Sequence, residues 1–150
     1  AATYLKMCNE VLHLGLSLNE LAQIGLNVGA DVPFFIYGYK SANVSGIGEV
    51  VEEFDEEPLD VETYTPKLEI STPRVYAIYR EDFYNPIDGF ETQKLKETKS
   101  LDILKTMSPT QANDLFEPAL QEYKELKQHY KSGFHFSGSG SSFFRVREGV

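Results

Sequence analysis

Cysteine, histidine and tryptophan are scarce in this sequence of 150 residues, which holds one cysteine, three histidines and no tryptophan. The single cysteine, Cys8, cannot form an internal disulfide, and the histidines are too few and too widely spaced for a Cys/His zinc cluster. No run approaches the roughly 18 consecutive apolar residues that a membrane-spanning helix needs. We therefore expect no disulfide, no metal ligands among the side chains and no membrane partner.

Basic residues are also in the minority, with 14 Lys and Arg against 23 Asp and Glu and a net charge of -9. This charge opposes attraction to nucleic-acid phosphates and to anionic lipid surfaces, so we expect no nucleic-acid partner. A small anionic ligand remains compatible with it, because backbone N–H groups at a glycine turn can hold a phosphate without any lysine. The first residues lack the basic and then apolar order of a signal peptide, which predicts a cytoplasmic protein.

The composition, 41% hydrophobic and 25% charged, is that of an ordinary globular protein. The length predicts one hydrophobic core rather than two.

Apolar residues at spacings of three and four predict a first helix over 3–14, which Gly15 can end. Ser17 and Glu20 form a capping-box pattern that starts a second helix, which ends near Gly29. We expect these two helices to form an αα-hairpin.

A single carboxylate, Asp31, lies between a glycine and an apolar run in the motif GADVPFF. An Asp two residues before Pro is a common N-cap of a short helix, and a catalytic carboxylate is the other interpretation of this residue.

Farther on, glycines in the segment 46–48 separate the strand-like segments 40–44 and 50–54, which predicts a β-hairpin whose glycines adopt positive φ. The acidic residues of 52–57 predict a solvated strand edge without chemistry.

Short strands and one helix are predicted in the middle of the chain. Alternating residues in 59–65 and the segment 67–70 predict two strands. Thr72, as an N-cap before Pro73, predicts a helix, although 75–79 also suits a strand. The side chains that this helix would carry inward are Val75, Tyr76 and Tyr79.

The polar segment 91–100 predicts the most mobile part of the chain, either a loop over a site or a surface connection. A short helix is predicted over 101–107, ahead of Pro109. A longer helix is predicted from the caps Asn113-Asp114 through Tyr130. Its buried stripe would consist of Leu115, Ala119, Tyr123 and Leu126.

The last motif is a Ser/Gly turn, SGSGSS over 137–142, between the aromatic segments 133–136 and 143–146. A flexible hairpin tip is one interpretation of such a turn. The other is a phosphate loop, because strands on both sides fix its ends and let its N–H groups converge on one point. His135 is expected to alternate out of its strand as a surface or hydrogen-bonded residue.

Five motifs in one order give these segments a common interpretation. They are GADVPFF at 29–35, GIGE at 46–49, Ser71-Thr72, NDL at 113–115 and SGSGSS at 137–142. With them the chain resembles the 4-diphosphocytidyl-2-C-methyl-D-erythritol kinases, which belong to the GHMP kinase superfamily. Because the motifs span nearly the whole chain, the resemblance covers it almost end to end.

The resemblance implies an α+β fold in two parts. Residues 56–150 would be the GHMP-kinase-like C-terminal domain, an antiparallel sheet with helices packed on one face. Residues 1–55 would be the remnant of the N-terminal domain, with two helices, the Asp motif and the hairpin. The N-terminal lysine and the glycine loop that cradles ATP would precede Ala1, so the missing N-terminal half of the same enzyme is an implied partner.

The resemblance also implies site residues. The family's aspartate lies beside the hydroxyl that receives the γ-phosphoryl group, and Asp31 matches it as the catalytic residue. Ser71 and Thr72 match a loop near the methylerythritol end of the substrate. The residues that would form a glycine-rich hairpin at the phosphate site are Ser137, Gly138, Ser139, Gly140 and Ser141.

The activity implied by the resemblance is phosphorylation of the 2-hydroxyl of 4-diphosphocytidyl-2-C-methyl-D-erythritol, with ATP and Mg²⁺, in isoprenoid precursor synthesis. This chain alone would be inactive, because the parts that hold ATP lie elsewhere. One alternative is a GHMP kinase for another small alcohol of the mevalonate or homoserine type. A second alternative is a non-catalytic α+β binding module in which Asp31 is only a cap.

Overall fold

The structure, a computed structural model, describes residues 1–147. A π-helical turn, Tyr79–Phe83, directly follows one of the α-helices. The helices are α1 Ala2–Val11, α2 Leu18–Leu26, α3 Val32–Tyr37, α4 Thr72–Ile78, α5 Gly89–Glu97, α6 Ser100–Thr106, α7 Phe116–Glu122 and α8 Leu126–His129. The strands are β1 Ala42–Ser45, β2 Val50–Glu53, β3 Val61–Tyr64, β4 His135–Phe136 and β5 Phe143–Val146.

The chain folds into two compact units, Ala1–Pro58 and a second that begins at Leu59. Each unit has a hydrophobic core of its own, so the expectation of one core, drawn from length alone, is wrong. The division falls three residues after the boundary at 55/56 that the resemblance implies. The assignment of the units to kinase domains stays a prediction.

Three helices form the first unit, and specific side chains fix how they connect. The Asn9 side chain binds both the N–H and the C=O of Leu16, each at 2.9 Å, which holds the connection between α1 and α2. The predicted capping box is confirmed, with Ser17 accepting from the Glu20 N–H and Glu20 accepting from the Ser17 N–H. These hydrogen bonds with Ser17 hold the pKa of Glu20 below its usual value. The buried core consists of Ala2, Leu21, Ala22 and Ile36.

The first unit ends in the predicted β-hairpin. Strands β1 and β2 pair antiparallel, from Ala42 opposite Glu53 to Ser45 opposite Val50. Both turn glycines have positive φ as expected, 68° at Gly46 and 110° at Gly48. The acidic segment beyond β2 is largely exposed, and in it Glu57 forms a 2.7 Å ion pair with Lys40.

A three-stranded antiparallel sheet, in the order β3-β5-β4, organises the second unit. Helices α4, α7 and α8 contribute the buried residues Val75, Phe116, Ala119 and Leu126 to the core against it. The sheet side of this core consists of Phe134, Phe136 and Phe143, with Tyr64 packed against them. An ion pair between Arg74 and Glu122, at 3.0 Å, links α4 to α7 on the outside.

Two predictions for the second unit fail in element type. Residues 67–70 do not form a strand, and the Leu68 N–H donates back to the Pro66 carbonyl at 2.8 Å instead of pairing with a neighbouring strand. The polar segment 91–100 is not an open loop, since α5 and the start of α6 occupy it. The overlooked signal is Asp88, whose carboxylate accepts the Glu91 N–H at 2.8 Å and caps α5.

Two helix predictions need correction in detail. The helix after Ser71 exists and excludes the strand alternative, but Ser71 rather than Thr72 occupies the N-cap position, and its side chain makes no cap hydrogen bond. This helix buries Val75 and Ile78, whereas Tyr76 is exposed. The single long helix to residue 130 is interrupted at Tyr123, which leaves the helical conformation with φ -109° and ψ 76° and separates α7 from α8.

None of the helices in residues 1–147 combines the length and the apolar character needed to cross a bilayer.

Candidate active site

Asp31 lies at the start of α3, directly before its first residue. Its backbone has φ -83° and ψ -13°, and its side chain is exposed and makes no cap hydrogen bond to the helix. An N-cap normally takes an extended backbone so that its oxygen can reach the N–H two or three residues on. The capping interpretation of this aspartate is therefore wrong, and its carboxylate is free for another role.

Close packing fixes the backbone that carries Asp31. Gly48 is buried against the backbone of Ala30, so that any Cβ at residue 48 would collide with the Ala30 carbonyl. Gly25 lets α3 approach α2, because a Cβ there would come within 2.7 Å of Ile36. The glycines of two separate segments thus hold the Asp31 segment from two sides.

The far end of α3 is also held. Gly38 ends the helix in the left-handed conformation with φ 72°, which a glycine adopts without strain. Lys6 of α1 donates a 3.1 Å hydrogen bond from Nζ to the Phe35 carbonyl in the last turn. A cation at a helix C-terminus is a favourable arrangement.

The Ser/Gly turn of the second unit joins β4 to β5, as predicted. The Ser137 N–H donates to the Ser142 carbonyl, and the Gly140 N–H donates to the Ser137 carbonyl, both at 3.0 Å. Gly140, with φ 97°, lies so close to Phe136 and Ile70 that a Cβ would overlap them. The turn is therefore a defined loop rather than a flexible tip.

Unpaired donors distinguish this turn. The N–H groups of Gly138, Ser139 and Ser141 make no hydrogen bond to any other described residue. Gly138 and Ser139 are successive, and successive N–H groups without partners in a turn are the donors from which anion sites are built. Chemically, the turn can accept a phosphate group without a basic side chain.

Of the two weaker sequence candidates, Thr72 lies against the turn and Ser71 contacts the end of α7. Thr72 and Ser139 share a 2.6 Å hydrogen bond between their hydroxyl groups, so these two predicted site residues are brought together. Ser71 has its N–H bound to the Tyr123 hydroxyl at 3.0 Å. Asp31 belongs to the first unit, and its surroundings are those described above.

Asn113 is a residue of this region to which sequence reasoning gave the wrong role. Its Nδ2 donates to the carbonyls of Phe136 and Gly138, at 3.0 and 2.9 Å, and its Oδ1 accepts the Leu115 N–H at 2.9 Å. We expected it to cap a long helix. No local pattern in the sequence points to this role, because the carbonyls that Asn113 binds lie 23 and 25 residues away.

His135 also differs from expectation. It is half-buried, and its Nδ1 is fully enclosed without a hydrogen-bond partner in the described structure. Burial lowers the pKa of its imidazole, and a hydrogen bond with the backbone of Leu104 acts in the opposite direction. The prediction of a surface or hydrogen-bonded histidine is wrong at Nδ1.

A cavity of about 620 Å³ lies elsewhere in the second unit, against α7 and α8. None of its lining residues is a predicted site residue. They are Pro109, Thr110, Phe116, Leu120, Gln121, Lys124, Lys127 and Tyr130.

Comparison with known proteins shows which proteins this chain is similar to. A protein of Sulfurimonas denitrificans described as 4-diphosphocytidyl-2-C-methyl-D-erythritol kinase is 75% identical over 148 residues, which are 99% of this chain and 56% of that protein. A Sulfurovum kinase with the same description is 38% identical over 149 residues. The resemblance to these kinases is confirmed.

A solved structure supports the same conclusion for the fold. The crystal structure of a 4-(cytidine 5'-diphospho)-2C-methyl-D-erythritol kinase matches with a TM-score of 0.71 at 30% sequence identity. The match covers 99% of this chain and 55% of that one. The predicted α+β fold of the GHMP kinase type is thereby confirmed. A scan against family models found no match.

The chain is shorter than these kinases. It spans 56% of the Sulfurimonas kinase and 58% of the Sulfurovum kinase. The relatives are kinases as whole proteins, and this chain corresponds to a little more than half of such a protein.

Proposed function

We propose that this chain is the C-terminal portion of an ATP-dependent kinase that phosphorylates the 2-hydroxyl of 4-diphosphocytidyl-2-C-methyl-D-erythritol, in isoprenoid precursor synthesis. The observation that carries the proposal is the 75% identity to a kinase of that description along nearly the whole chain. The rest of the kinase polypeptide is its partner. Its proposed location is the cytoplasm, where ATP is available as the phosphoryl donor.

In this proposal Asp31 is the general base. A hydroxyl is a poor nucleophile at neutral pH, and a carboxylate within hydrogen-bond reach can orient it and take its proton as it attacks phosphorus. The exposed Asp31 side chain, unused as a helix cap, supports this role. The backbone around it is held by Gly25 and Gly48, which suits a group that must be positioned accurately.

The Ser/Gly turn is proposed to hold phosphate of the nucleotide. Its unpaired N–H groups on Gly138, Ser139 and Ser141 support this assignment. Fixed N–H dipoles stabilise the negative charge that spreads over the phosphoryl oxygens during transfer. Thr72, hydrogen-bonded to Ser139, and the neighbouring Ser71 are proposed to contact the alcohol substrate.

Mg²⁺ is proposed to arrive as part of the MgATP substrate. Residues 1–147 contain no group of three or more His, Cys, Asp and Glu side chains that could hold a metal ion. Mg²⁺ commonly binds through the phosphates of a nucleotide together with one or two carboxylates, and such binding needs no larger cluster of protein ligands.

A hybrid kinase tests the function. In it, this chain replaces the matching 148 residues of the Sulfurimonas denitrificans kinase. We expect the hybrid to phosphorylate 4-diphosphocytidyl-2-C-methyl-D-erythritol with ATP. Phosphorus NMR of the product measures this reaction. A folded hybrid without this activity would contradict the proposal. We expect the 150-residue chain alone to be inactive, and turnover by the purified chain would contradict that part.

Two substitutions in the hybrid test the base. Asp31→Asn should lower kcat by a factor of roughly 100 to 10,000, the usual contribution of a general base, with the melting temperature nearly unchanged. Asp31→Ser also keeps a polar oxygen at this position but cannot take a proton, so it should be equally inactive. Full activity of either variant would contradict the base and support the non-catalytic binding module.

The alternative kinase substrates stay open to the same assay. The motif GIGE at 46–49 favours the cytidyl branch of the resemblance. We expect the hybrid to prefer the cytidyl alcohol to mevalonate and homoserine by its kcat/KM. A higher kcat/KM for mevalonate or homoserine would mean that the protein is a kinase for a different alcohol.

A further inference from the structure

We propose that Asn113 is a positioning residue that sets the Ser/Gly turn for ATP. Its side chain spans from the start of α7 to both sides of the point where β4 becomes the turn. This inference rests on the proposed function, because it assigns the turn to the nucleotide.

The geometry of Asn113 suits a clamp. The two N–H donors of its amide are both used, one carbonyl being that of Phe136, the last residue of β4, and the other that of Gly138 in the turn. Its oxygen accepts the Leu115 N–H, so all three strong hydrogen bonds of the side chain join backbone to backbone. Asn113 is half-buried, where such bonds are screened little by water.

The consequence concerns the direction of the turn's donors. When the carbonyls of Phe136 and Gly138 are bound by Asn113, the peptide N–H groups that follow them point away from that side chain. Those N–H groups include the unpaired donor of Ser139. Asn113 thus determines which way one of the proposed phosphate donors, the Ser139 N–H, faces, without touching phosphate itself.

Only an amide satisfies these three contacts. A carboxylate of the same shape could still accept from the Leu115 N–H, but it would place an oxygen against two carbonyl oxygens. A serine could keep the local turn through its hydroxyl, but it is too short to reach the turn at residue 138. Asn113→Asp and Asn113→Ser therefore remove the clamp while keeping the local turn.

The test uses the hybrid kinase with a matched control. Asn9→Asp is that control, because Asn9 also binds the backbone of a connection through both side-chain atoms, in the first unit. We expect Asn113→Asp to raise the KM for ATP by about tenfold, the effect of losing two hydrogen bonds, and to leave the KM for the alcohol unchanged. Asn9→Asp should lower the melting temperature by about as much as Asn113→Asp does, with the KM for ATP and the KM for the alcohol both unchanged.

These measurements distinguish a side chain that positions the turn from one that only stabilises the fold. An unchanged KM for ATP in both Asn113 variants, or an equal rise in the Asn9 variant, would overturn the inference. So would the failure of both Asn113 variants to fold at low temperature, since the side chain would then be required for the fold itself. An inactive parent hybrid would instead refute the proposed function, which separates the two failures.

Discussion

The two units of this chain bury apolar side chains in different ways. The first unit has a core of one leucine, one isoleucine and two alanines. The second unit packs Phe116, Phe136 and Phe143 against each other, with ring centroids 4.8 to 5.9 Å apart. Each buried aromatic ring removes about 150–250 Å² from water, far more than an alanine can. The second unit therefore gains more stability from each core residue.

The surface shows the same contrast. Most of the exposed large apolar side chains among residues 1–147 belong to the first unit. Tyr4, Met7 and Val11 recur at helical spacing on one face of α1 and are 69%, 56% and 69% exposed. An exposed apolar face of this kind is typical of an interaction surface. The second unit encloses most of its large apolar side chains, whereas the first leaves many of its own on the surface.

Separating the units gives the largest expected effect. Residues 59–150, expressed alone, should unfold cooperatively in urea, because their aromatic core lies within them. Residues 1–58 should show no cooperative transition, since a core this small cannot offset the chain entropy. Far-UV circular dichroism in urea checks both. A cooperative transition of similar midpoint for both pieces would break the contrast.

Removing one core side chain from each unit comes next. Phe143 is fully buried and contacts aromatic rings on three elements, so Phe143→Ala should cost about 3–5 kcal/mol of unfolding free energy in the second unit. Ile36→Ala, at the equally buried position of the first unit, should leave the second unit's transition unchanged. The near-UV signal of the half-buried Tyr64 and Tyr123, which pack against this core, reports that transition. Equal shifts from both variants would mean that the units unfold together.

Helix caps give a smaller and sharper contrast. Ser17 accepts the Glu20 N–H and completes a capping box, so Ser17→Ala should cost about 1 kcal/mol of stability in the first unit. Ser71 occupies the corresponding position of α4 without a side-chain cap bond, so Ser71→Ala should cost less. Hydrogen exchange of amides in α2 and α4 measures each helix separately. A larger loss in α4 would contradict the assignment of these caps.

Local signals accounted for much of the fold. The capping box at Ser17, the positive-φ glycines of the first hairpin and the strands around the Ser/Gly turn were predicted from neighbouring residues alone. Each depends on interactions over a few residues, which is the range that sequence patterns report. The first errors arose where a distant partner decides, as at 67–70, where none of β3, β4 and β5 pairs with the segment.

The candidate site shows the same division. Asp31 and the Ser/Gly turn could be found because their motifs are continuous in sequence. Asn113 could not be given its role, because its partners lie 23 and 25 residues away. The capping interpretation of Asp31 failed because its backbone is helical, with φ -83° and ψ -13°, and neighbouring residues do not reveal that conformation.

The smallest expected effect comes from His135, which should make the stability of the second unit depend on pH. Burial lowers the pKa of its imidazole in the folded state, while the unfolded chain keeps the usual value near 6.5. Between those two values the unfolded chain binds more protons than the folded one, so stability falls as the pH drops. Above about pH 6.5 both states are neutral at this residue and no stability is lost.

The second unit should therefore melt at a lower temperature at pH 5.5 than at pH 7.5. The shift should be smaller than the capping effect, because a half-buried ring is partly screened by water. His135→Phe should remove its share of this pH dependence, since a phenyl ring beside Phe144 takes up no proton and leaves no buried nitrogen without a partner. His13→Asn, in the first unit, keeps the positive φ of that residue and should leave the pH dependence intact. If the His13 variant abolished it instead, the titrating group would lie in the first unit and this contrast would be reversed.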